Sequence, residues 1–259
     1  MPVLTRPYGA LHLRIDGPQD APALLLCNSL GTDLRLWDAM MPALAQWRVI
    51  RYDKQGHGLS DLGNGTDIAD HAEDAAAILD AMGGPATVIG CSIGGLIAQR
   101  LASDRPDLVR ALVLSNSAAK LGTAESWQER IATVQAGGTR AIADAVMERW
   151  FAAPFRARPE LALWRNMLAR SPRDGYIAAC QALAGADQSA ATARLRLPCM
   201  VIAGSEDGAS PPEIVRATAD LIAGAEFHLI DGAGHLPCVE APDAMAAILQ
   251  PFLQRHAVK

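Results

Sequence analysis

The stretch Ala86-Thr87-Val88-Ile89-Gly90-Cys91-Ser92-Ile93-Gly94 decides the fold. Its first four residues are apolar or β-branched and predict a buried strand, and a helical pattern follows over residues 93–103. The turn between them matches Gly-x-Ser-x-Gly, in which a nucleophilic serine is exposed where a strand and a helix cross closely. A glycine-rich turn with a capping serine would read the same. The prediction that Ser92 is a nucleophile therefore depends on the rest of the chain.

Strand-like and helical segments alternate on both sides of this stretch. Apolar runs predict central strands at residues 23–27, 48–52, 86–90, 111–114, 199–203 and 226–230. Residues 11–15 alternate between apolar and polar types, which predicts a half-exposed edge strand. Helical patterns occupy residues 36–46, 67–82, 93–103, 212–222 and 241–256. This alternation predicts an α/β fold with a mostly parallel sheet and helices on both faces.

The alternation stops between residues 118 and 193, where helical patterns follow one another. They cover residues 125–135, 139–150, 160–169 and 173–186. We interpret residues 118–193 as a helical cap inserted after the sixth strand, and residues 1–117 and 194–259 as an α/β core. Ligands of α/β folds bind at the carboxyl ends of the strands, so the cap would lie over the binding site as a lid.

A serine hydroxyl needs a neighbouring imidazole to take its proton and a carboxylate to orient that imidazole. In folds with this serine turn, the acid and then the histidine follow downstream. His235 lies in a glycine-rich loop directly after the last predicted strand, at the edge of the sheet that carries Ser92. We therefore predict His235 as the base, since the other histidines lie upstream, within a strand or in the terminal tail.

Asp207 is the predicted acid because it follows the strand at residues 199–203 through a short turn. Glu206 and Asp231 are its rivals, but Glu206 would point away in the turn and Asp231 would fix its own loop. Some related folds carry the acid after the sixth strand, where this chain reads Ser115-Asn116-Ser117 and offers no carboxylate.

The reaction also needs two backbone amides that stabilise the oxyanion. Ile93, directly after the nucleophile, is expected to supply one of them. The second should come from the loop Asn28-Ser29-Leu30-Gly31-Thr32, and we predict the amide of Leu30 because Gly31 lets the loop turn inward. A plain strand-to-helix turn would look the same in sequence.

Composition excludes several classes of protein. The net charge of −5 and the pI near 5.7 argue against a nucleic-acid surface. The chain has neither an apolar run long enough for a membrane helix nor a signal pattern at its N-terminus, so we expect a cytoplasmic protein without membrane partners. The five cysteines are spread without metal-site spacing and are expected to be reduced and buried.

These motifs together resemble the α/β-hydrolase superfamily over nearly the whole chain. Within it, the chain looks most like the 3-oxoadipate enol-lactone hydrolases of bacterial aromatic catabolism. The segments that carry the closer resemblance are Cys27-Asn28-Ser29-Leu30-Gly31-Thr32-Asp33, Arg51-Tyr52-Asp53, Met147-Glu148-Arg149-Trp150-Phe151 and Asp174-Gly175-Tyr176. Gln55 departs from the family, which usually has Arg at this structural position. By the same resemblance His57 packs the loop and takes no part in the chemistry.

The resemblance implies a five-membered enol lactone with an acetate arm as the substrate, and neither a metal nor an organic cofactor. On the cap, Arg149 beside Trp150 would offer a guanidinium and a flat apolar wall to such an anionic ring. An ordinary surface arginine beside a buried tryptophan is the alternative. Other readings of the whole chain are a carboxylesterase, a C–C bond hydrolase or a non-catalytic small-molecule receptor. The oligomeric state is left open by the sequence.

Overall fold

The computed structural model describes residues 2–257, and eight strands in it form one twisted sheet. The strands are β1 (Val3–Arg6), β2 (Gly9–Asp16), β3 (Ala23–Cys27), β4 (Arg48–Tyr52), β5 (Ala86–Cys91), β6 (Val109–Ser115), β7 (Cys199–Gly204) and β8 (Glu226–Ile230). Their order across the sheet is β1-β2-β4-β3-β5-β6-β7-β8. In the spatial order from β4 through β3 to β8, all neighbouring strands are parallel. The pairs β1–β2 and β2–β4 are antiparallel. This confirms the predicted α/β class.

The carboxyl ends of β5, β6, β7 and β8 lie side by side at one edge of the sheet. Every residue of β5 and β7 is buried, as expected of central strands that are covered by helices on both faces. Ser92 follows β5, Asn116 follows β6, Asp207 follows β7 and His235 follows β8. The topology thus gathers four polar residues from distant parts of the chain at the same edge.

The prediction that residues 11–15 form an edge strand is wrong. They belong to β2, which pairs with β4 on one side and with β1 on the other. The alternation of buried Leu11 and Leu13 with more exposed neighbours reflects a strand with one covered face, and a strand with a neighbour on each side can also give that pattern. The true edge strand β1 has only four residues, all at least partly exposed, and carries little hydrophobic signal.

The α-helices are α1 (Ile68–Met82), α2 (Ile93–Asp104), α3 (Ala124–Gly137), α4 (Ala143–Trp150), α5 (Ala153–Arg156), α6 (Leu161–Ala169), α7 (Arg173–Gly185), α8 (Ser189–Thr192), α9 (Pro212–Leu221), α10 (Pro237–Glu240) and α11 (Pro242–His256). Between β6 and β7 every regular element of the described chain is helical, and α3 packs on α7 there. The division into a core and a cap at residues 118 and 193 stays a prediction. Nowhere in residues 2–257 does a helix have the length and apolar character needed to cross a membrane.

The predicted helix at residues 36–46 is also wrong in kind, because the chain forms a 3₁₀ helix at Leu34–Met40 and then turns. Asp33 caps its start by accepting a hydrogen bond from the amide of Arg35 at 3.0 Å. Pro42 has no amide hydrogen to donate to the carbonyl of Asp38, which accepts from the amide of Met41 at 3.2 Å instead, so the α-helical bonding pattern is interrupted here.

Gly94→Ala should destabilise the fold, because a Cβ at this position would overlap the backbone carbonyl of Cys27. We expect the free energy of unfolding in urea to fall by about 1–3 kcal/mol. Gly185→Ala at the end of α7 is the matched control, since no atom lies within 4 Å of the added methyl group. It should leave stability unchanged or raise it by up to about 1 kcal/mol. Equal stability of the two variants would contradict the close crossing at Gly94.

Candidate active site

Ser92 lies in a strained turn between β5 and α2, with φ of 57° and ψ of −122°. Positive φ is unfavourable for a residue with a side chain, and such strain is found at functional sites. The glycines on either side make the turn possible: a Cβ at Gly90 would overlap the backbone of Gly94, and one at Gly94 would overlap Cys27. The Ser92 side chain makes no capping hydrogen bond to α2, so a capping role does not explain it.

Asp207 and His235 form a buried hydrogen-bonded pair, which is an ion pair when the imidazole is protonated, with Nδ1 of His235 2.9 Å from Oδ2 of Asp207. Asn116 donates from Nδ2 to the same oxygen at 2.9 Å. The amides of Ala209 and Ser210 donate to Oδ1 at 2.7 and 2.9 Å, so both carboxylate oxygens are occupied. Among the residues that the structure describes, Asp207 is the carboxylate that contacts His235.

This environment sets the charges of the pair. Burial alone lowers the pKa of His235, but the charge of Asp207 and its hydrogen bond more than offset this, and the net pKa is raised above its ordinary value. Burial raises the pKa of Asp207, while the charge and hydrogen bond of His235, with the bonds from Asn116 and Ser210, hold the net pKa below its ordinary value. Asp207 is therefore an anion at neutral pH, and it stabilises the imidazolium form of His235.

Ser92 and His235 line one cavity of about 140 Å³. Its other wall residues are Ser29, Leu30, Leu121, Gly122, Ser126, Trp127, Arg130, Val146, Arg149, Trp150, Tyr176 and Ala209. No hydrogen bond joins the Ser92 hydroxyl to His235 in the described chain, as is common before substrate tightens such contacts. Of the sequence-predicted residues, Leu30, Arg149 and Trp150 also lie on this cavity. Asp207 does not line it and contacts the His235 ring on the Nδ1 side.

The amides of Leu30 and Ile93 have no hydrogen-bond partner among the described residues, and Leu30 also lines the cavity. Ile93 is the first residue of α2, where the helix itself provides no acceptor for the amide. Within residues 2–257 no backbone acceptor takes the amide of Leu30 either. The dipole of α2 adds partial positive charge at this end. The sequence predicts the oxyanion donors at these two positions.

Two buried residues, Lys54 and His57, hold the loop that carries Leu30 through hydrogen bonds to its backbone. Lys54 Nζ donates to the carbonyl oxygens of Ser29 at 2.6 Å and Thr32 at 3.2 Å. His57 Nε2 accepts from the amide of Gly31 at 3.2 Å. Burial and the nearby charge of Lys54 hold the pKa of His57 well below its ordinary value, so the ring is neutral and can accept. His57 thus packs and braces the loop.

The end of α4 is bonded to both loops that carry the ion pair. Trp150 accepts the amide of His235 on its carbonyl oxygen at 2.7 Å, and its ring stacks on the imidazole with centroids 6.3 Å apart. Arg149 exchanges two hydrogen bonds of 3.1 Å with the backbone of Gly208. Arg149 and Trp150 therefore brace the site as well as line it, which the sequence pattern does not reveal.

Three polar contributors escaped the sequence reasoning. Asn116 and Ser210 contact Asp207, and Arg130 lies on the cavity with its Nη1 3.3 Å from the hydroxyl of Tyr176. Asn116 has φ of 50°, and its place directly after β6, where some related folds carry the acid, could have drawn attention to it. No short motif marks Arg130, because its contact with Tyr176 depends on how α3 packs on α7.

Gln55 stands beside Asp74, and Arg6 supplies the positive charge that Gln55 lacks. Gln55 Nε2 donates to Asp74 Oδ2 at 3.0 Å, and Arg6 Nε donates to the other carboxylate oxygen at 2.7 Å. Tyr8 donates its hydroxyl to the same carboxylate at 2.6 Å. The carboxylate of Asp74 is therefore paired although residue 55 is neutral. The departure from the family pattern does not leave a buried charge without a partner.

With this fold and site, the chain belongs to the α/β-hydrolase family: the family model described as "alpha/beta hydrolase fold" matches residues 22–242. It is a hydrolase, and curated enol-lactonases are similar to it over almost their whole length. The 3-oxoadipate enol-lactonase 1 of Acinetobacter baylyi is 34% identical over 97% of this chain and 96% of its own. These matches confirm the resemblance drawn from the sequence motifs.

Solved structures of an enol-lactonase and of another hydrolase are also similar to this chain. The enol-lactonase from Burkholderia xenovorans superimposes with a TM-score of 0.94 at 35% identity, covering 98% of this chain and 100% of its own. A hydrolase from Pseudomonas aeruginosa gives a TM-score of 0.93 at 37% identity and covers 97% of both chains.

Asp207→Asn should lower the pKa of His235 below its ordinary value, because burial would then act without the opposing carboxylate charge. The titration of the His235 ring, followed by NMR, measures this directly. Asp231→Asn is the control, since Asp231 is close in sequence but accepts from Ser205 and not from His235. An unchanged His235 titration in Asp207→Asn would contradict the ion pair.

Proposed function

We propose that this chain is a serine hydrolase that opens the lactone ring of 3-oxoadipate enol-lactone to give 3-oxoadipate. The observation that carries the proposal is the charge of the cavity at Ser92. Among the described residues, Arg130 and Arg149 line it and no Asp or Glu does. A small positive cavity suits a small ester that bears a carboxylate. The names of the A. baylyi and B. xenovorans relatives support the same kind of substrate.

In this proposal Ser92, His235 and Asp207 form the catalytic triad. The Ser92 oxygen attacks the lactone carbonyl carbon while its proton passes to Nε2 of His235, the ring nitrogen that faces away from Asp207. Asp207 keeps the ring oriented and stabilises the imidazolium that forms. The carbonyl oxygen becomes an oxyanion, and the amides of Leu30 and Ile93 are the proposed donors to it.

Collapse of this intermediate breaks the bond between the carbonyl carbon and the ring oxygen. The ring oxygen leaves as an enol with the proton from His235, and the acyl group stays on Ser92. An enol leaves more readily than an alkoxide and can tautomerise to a ketone, which makes ring opening effectively one-way. Water activated by His235 then releases the product by the same steps.

Both arginines face the proposed carboxylate arm. Burial and repulsion from Arg130 lower the pKa of Arg149, and the charge of Asp207 opposes this only in part. None of the described Asp or Glu residues lines the cavity that the two guanidinium groups share. A substrate carboxylate would relieve this repulsion and accept charge-assisted hydrogen bonds. The Trp150 ring, already stacked on His235, offers a flat wall to the lactone.

We expect kcat/KM for the enol lactone to exceed that for p-nitrophenyl acetate by at least about 100-fold, which corresponds to about 2.8 kcal/mol of activation free energy measured from free enzyme and substrate. Arg130→Ala and Arg149→Ala should each raise KM for the lactone about 10- to 100-fold, which corresponds to one lost hydrogen bond to a charged group. Neither variant should change the kinetics of the neutral ester by a similar factor. Loss of the lactone's ultraviolet absorbance measures the first rate and release of nitrophenolate the second.

Arg156→Ala is the matched control, because Arg156 is an exposed arginine of the same helical segment that lies off the cavity. It should leave both reactions unchanged. Comparable low rates of the wild-type protein on both substrates would reject the lactonase proposal in favour of a general esterase. Equal effects of the arginine variants on both substrates would reject carboxylate recognition by these side chains.

A further inference from the structure

Ser29 has a hydroxyl group that is buried and unpaired. The residue is completely inaccessible to solvent, and its Oγ has no hydrogen-bond partner among the described residues. Leaving a buried hydroxyl unpaired costs about 1–3 kcal/mol, so such a group calls for an explanation. Its neighbour Asn28 shows the usual situation, since its side chain donates to the carbonyl of Tyr52 at 2.6 Å and accepts from Trp37 at 2.8 Å.

The backbone of Ser29 is held firmly in contrast to its free hydroxyl. Its carbonyl oxygen accepts from Lys54 Nζ at 2.6 Å and from the Thr32 hydroxyl at 2.9 Å. Lys54 is itself buried, so these bonds form away from competing water. The loop therefore cannot turn Ser29 away without breaking them, and what remains free to rotate is the hydroxyl group.

The position of Ser29 places it near the proposed nucleophile and base. It lines the same cavity as Ser92 and His235, and it directly precedes Leu30, whose amide is a proposed oxyanion donor. If this hydroxyl, which has no partner among the described residues, gains one as the oxyanion forms, the new bond is made in the transition state and not before it. A bond present in the transition state but absent beforehand lowers the barrier by its full strength.

We propose that the Ser29 hydroxyl is a third donor to the oxyanion, beside the amides of Leu30 and Ile93. As Ser92 bonds to the carbonyl carbon, the π electron pair moves to the carbonyl oxygen, and the Ser29 O–H donates a hydrogen bond to that oxygen without transferring its proton. The inference rests on the proposed serine chemistry but not on the identity of the ester, because every ester attacked by Ser92 forms the same oxyanion.

Ser29→Ala should lower kcat for p-nitrophenyl acetate about 10- to 1000-fold with little change in KM, in the range seen when one oxyanion donor is removed. The inhibition constant of a trifluoromethyl ketone, which forms a tetrahedral anion with the nucleophile, should rise by a comparable factor. Because the variant removes an unpaired polar group, its melting temperature should stay the same or rise. A catalytic loss combined with undiminished stability separates this role from a merely structural one.

Thr87→Val is the matched control. Thr87 in β5 carries another fully buried hydroxyl that has no partner among residues 2–257, but it is not on the cavity, so the change should leave kcat unaltered. The inference is overturned if Ser29→Ala keeps kcat within about threefold of wild type. It is also overturned if the variant lowers kcat but leaves the inhibition constant of the trifluoromethyl ketone unchanged. If the wild-type protein hydrolyses the nitrophenyl ester but not the enol lactone, the lactonase proposal fails while the Ser29 result still stands.

Discussion

The close crossing of β5 and α2 at Ser92 is the constraint on which the rest of the site depends. Gly90 and Gly94 permit it, because a Cβ at either position would overlap backbone atoms. The crossing holds Ser92 at positive φ, leaves its side chain free of helix capping and starts α2 with an available amide at Ile93. One steric arrangement thus supplies both the proposed nucleophile and a proposed oxyanion donor, and the strain is maintained by the fully buried β5 and the largely buried β6 beside it.

The helical segment between β6 and β7 lines the cavity and also contacts the loops that carry Asp207 and His235. Its residues Arg130 and Arg149 give the cavity its positive charge, and Arg149 and Trp150 bond to the loops that carry Asp207 and His235. A substitution at the end of α4 therefore has two routes to an effect on turnover, one through the substrate and one through the geometry of the ion pair. The comparison of charged and neutral substrates separates these routes.

Sequence patterns predicted what is encoded locally. The turn at Ser92, the loop of His235 and the position of Asp207 after β7 are each marked by glycines next to an apolar run. Contacts that depend on the neighbours of a strand or helix escaped: Asn116 reaches Asp207, which lies 91 residues further along the chain, because β6 and β7 are adjacent. For the same reason the sequence does not reveal Arg6 as the partner that compensates for Gln55, and the pattern of β2 alone predicts an edge strand.

The central claim is that the strained turn makes Ser92 the nucleophile. Diisopropyl fluorophosphate phosphorylates activated serine hydroxyls, and mass spectrometry of the digested protein locates the adduct. The account predicts one adduct, on the peptide that contains Ser92, with loss of activity in proportion to labelling and no labelling of Ser92→Ala. An adduct on a different residue, or hydrolysis of ester by Ser92→Ala at the wild-type rate, would contradict it.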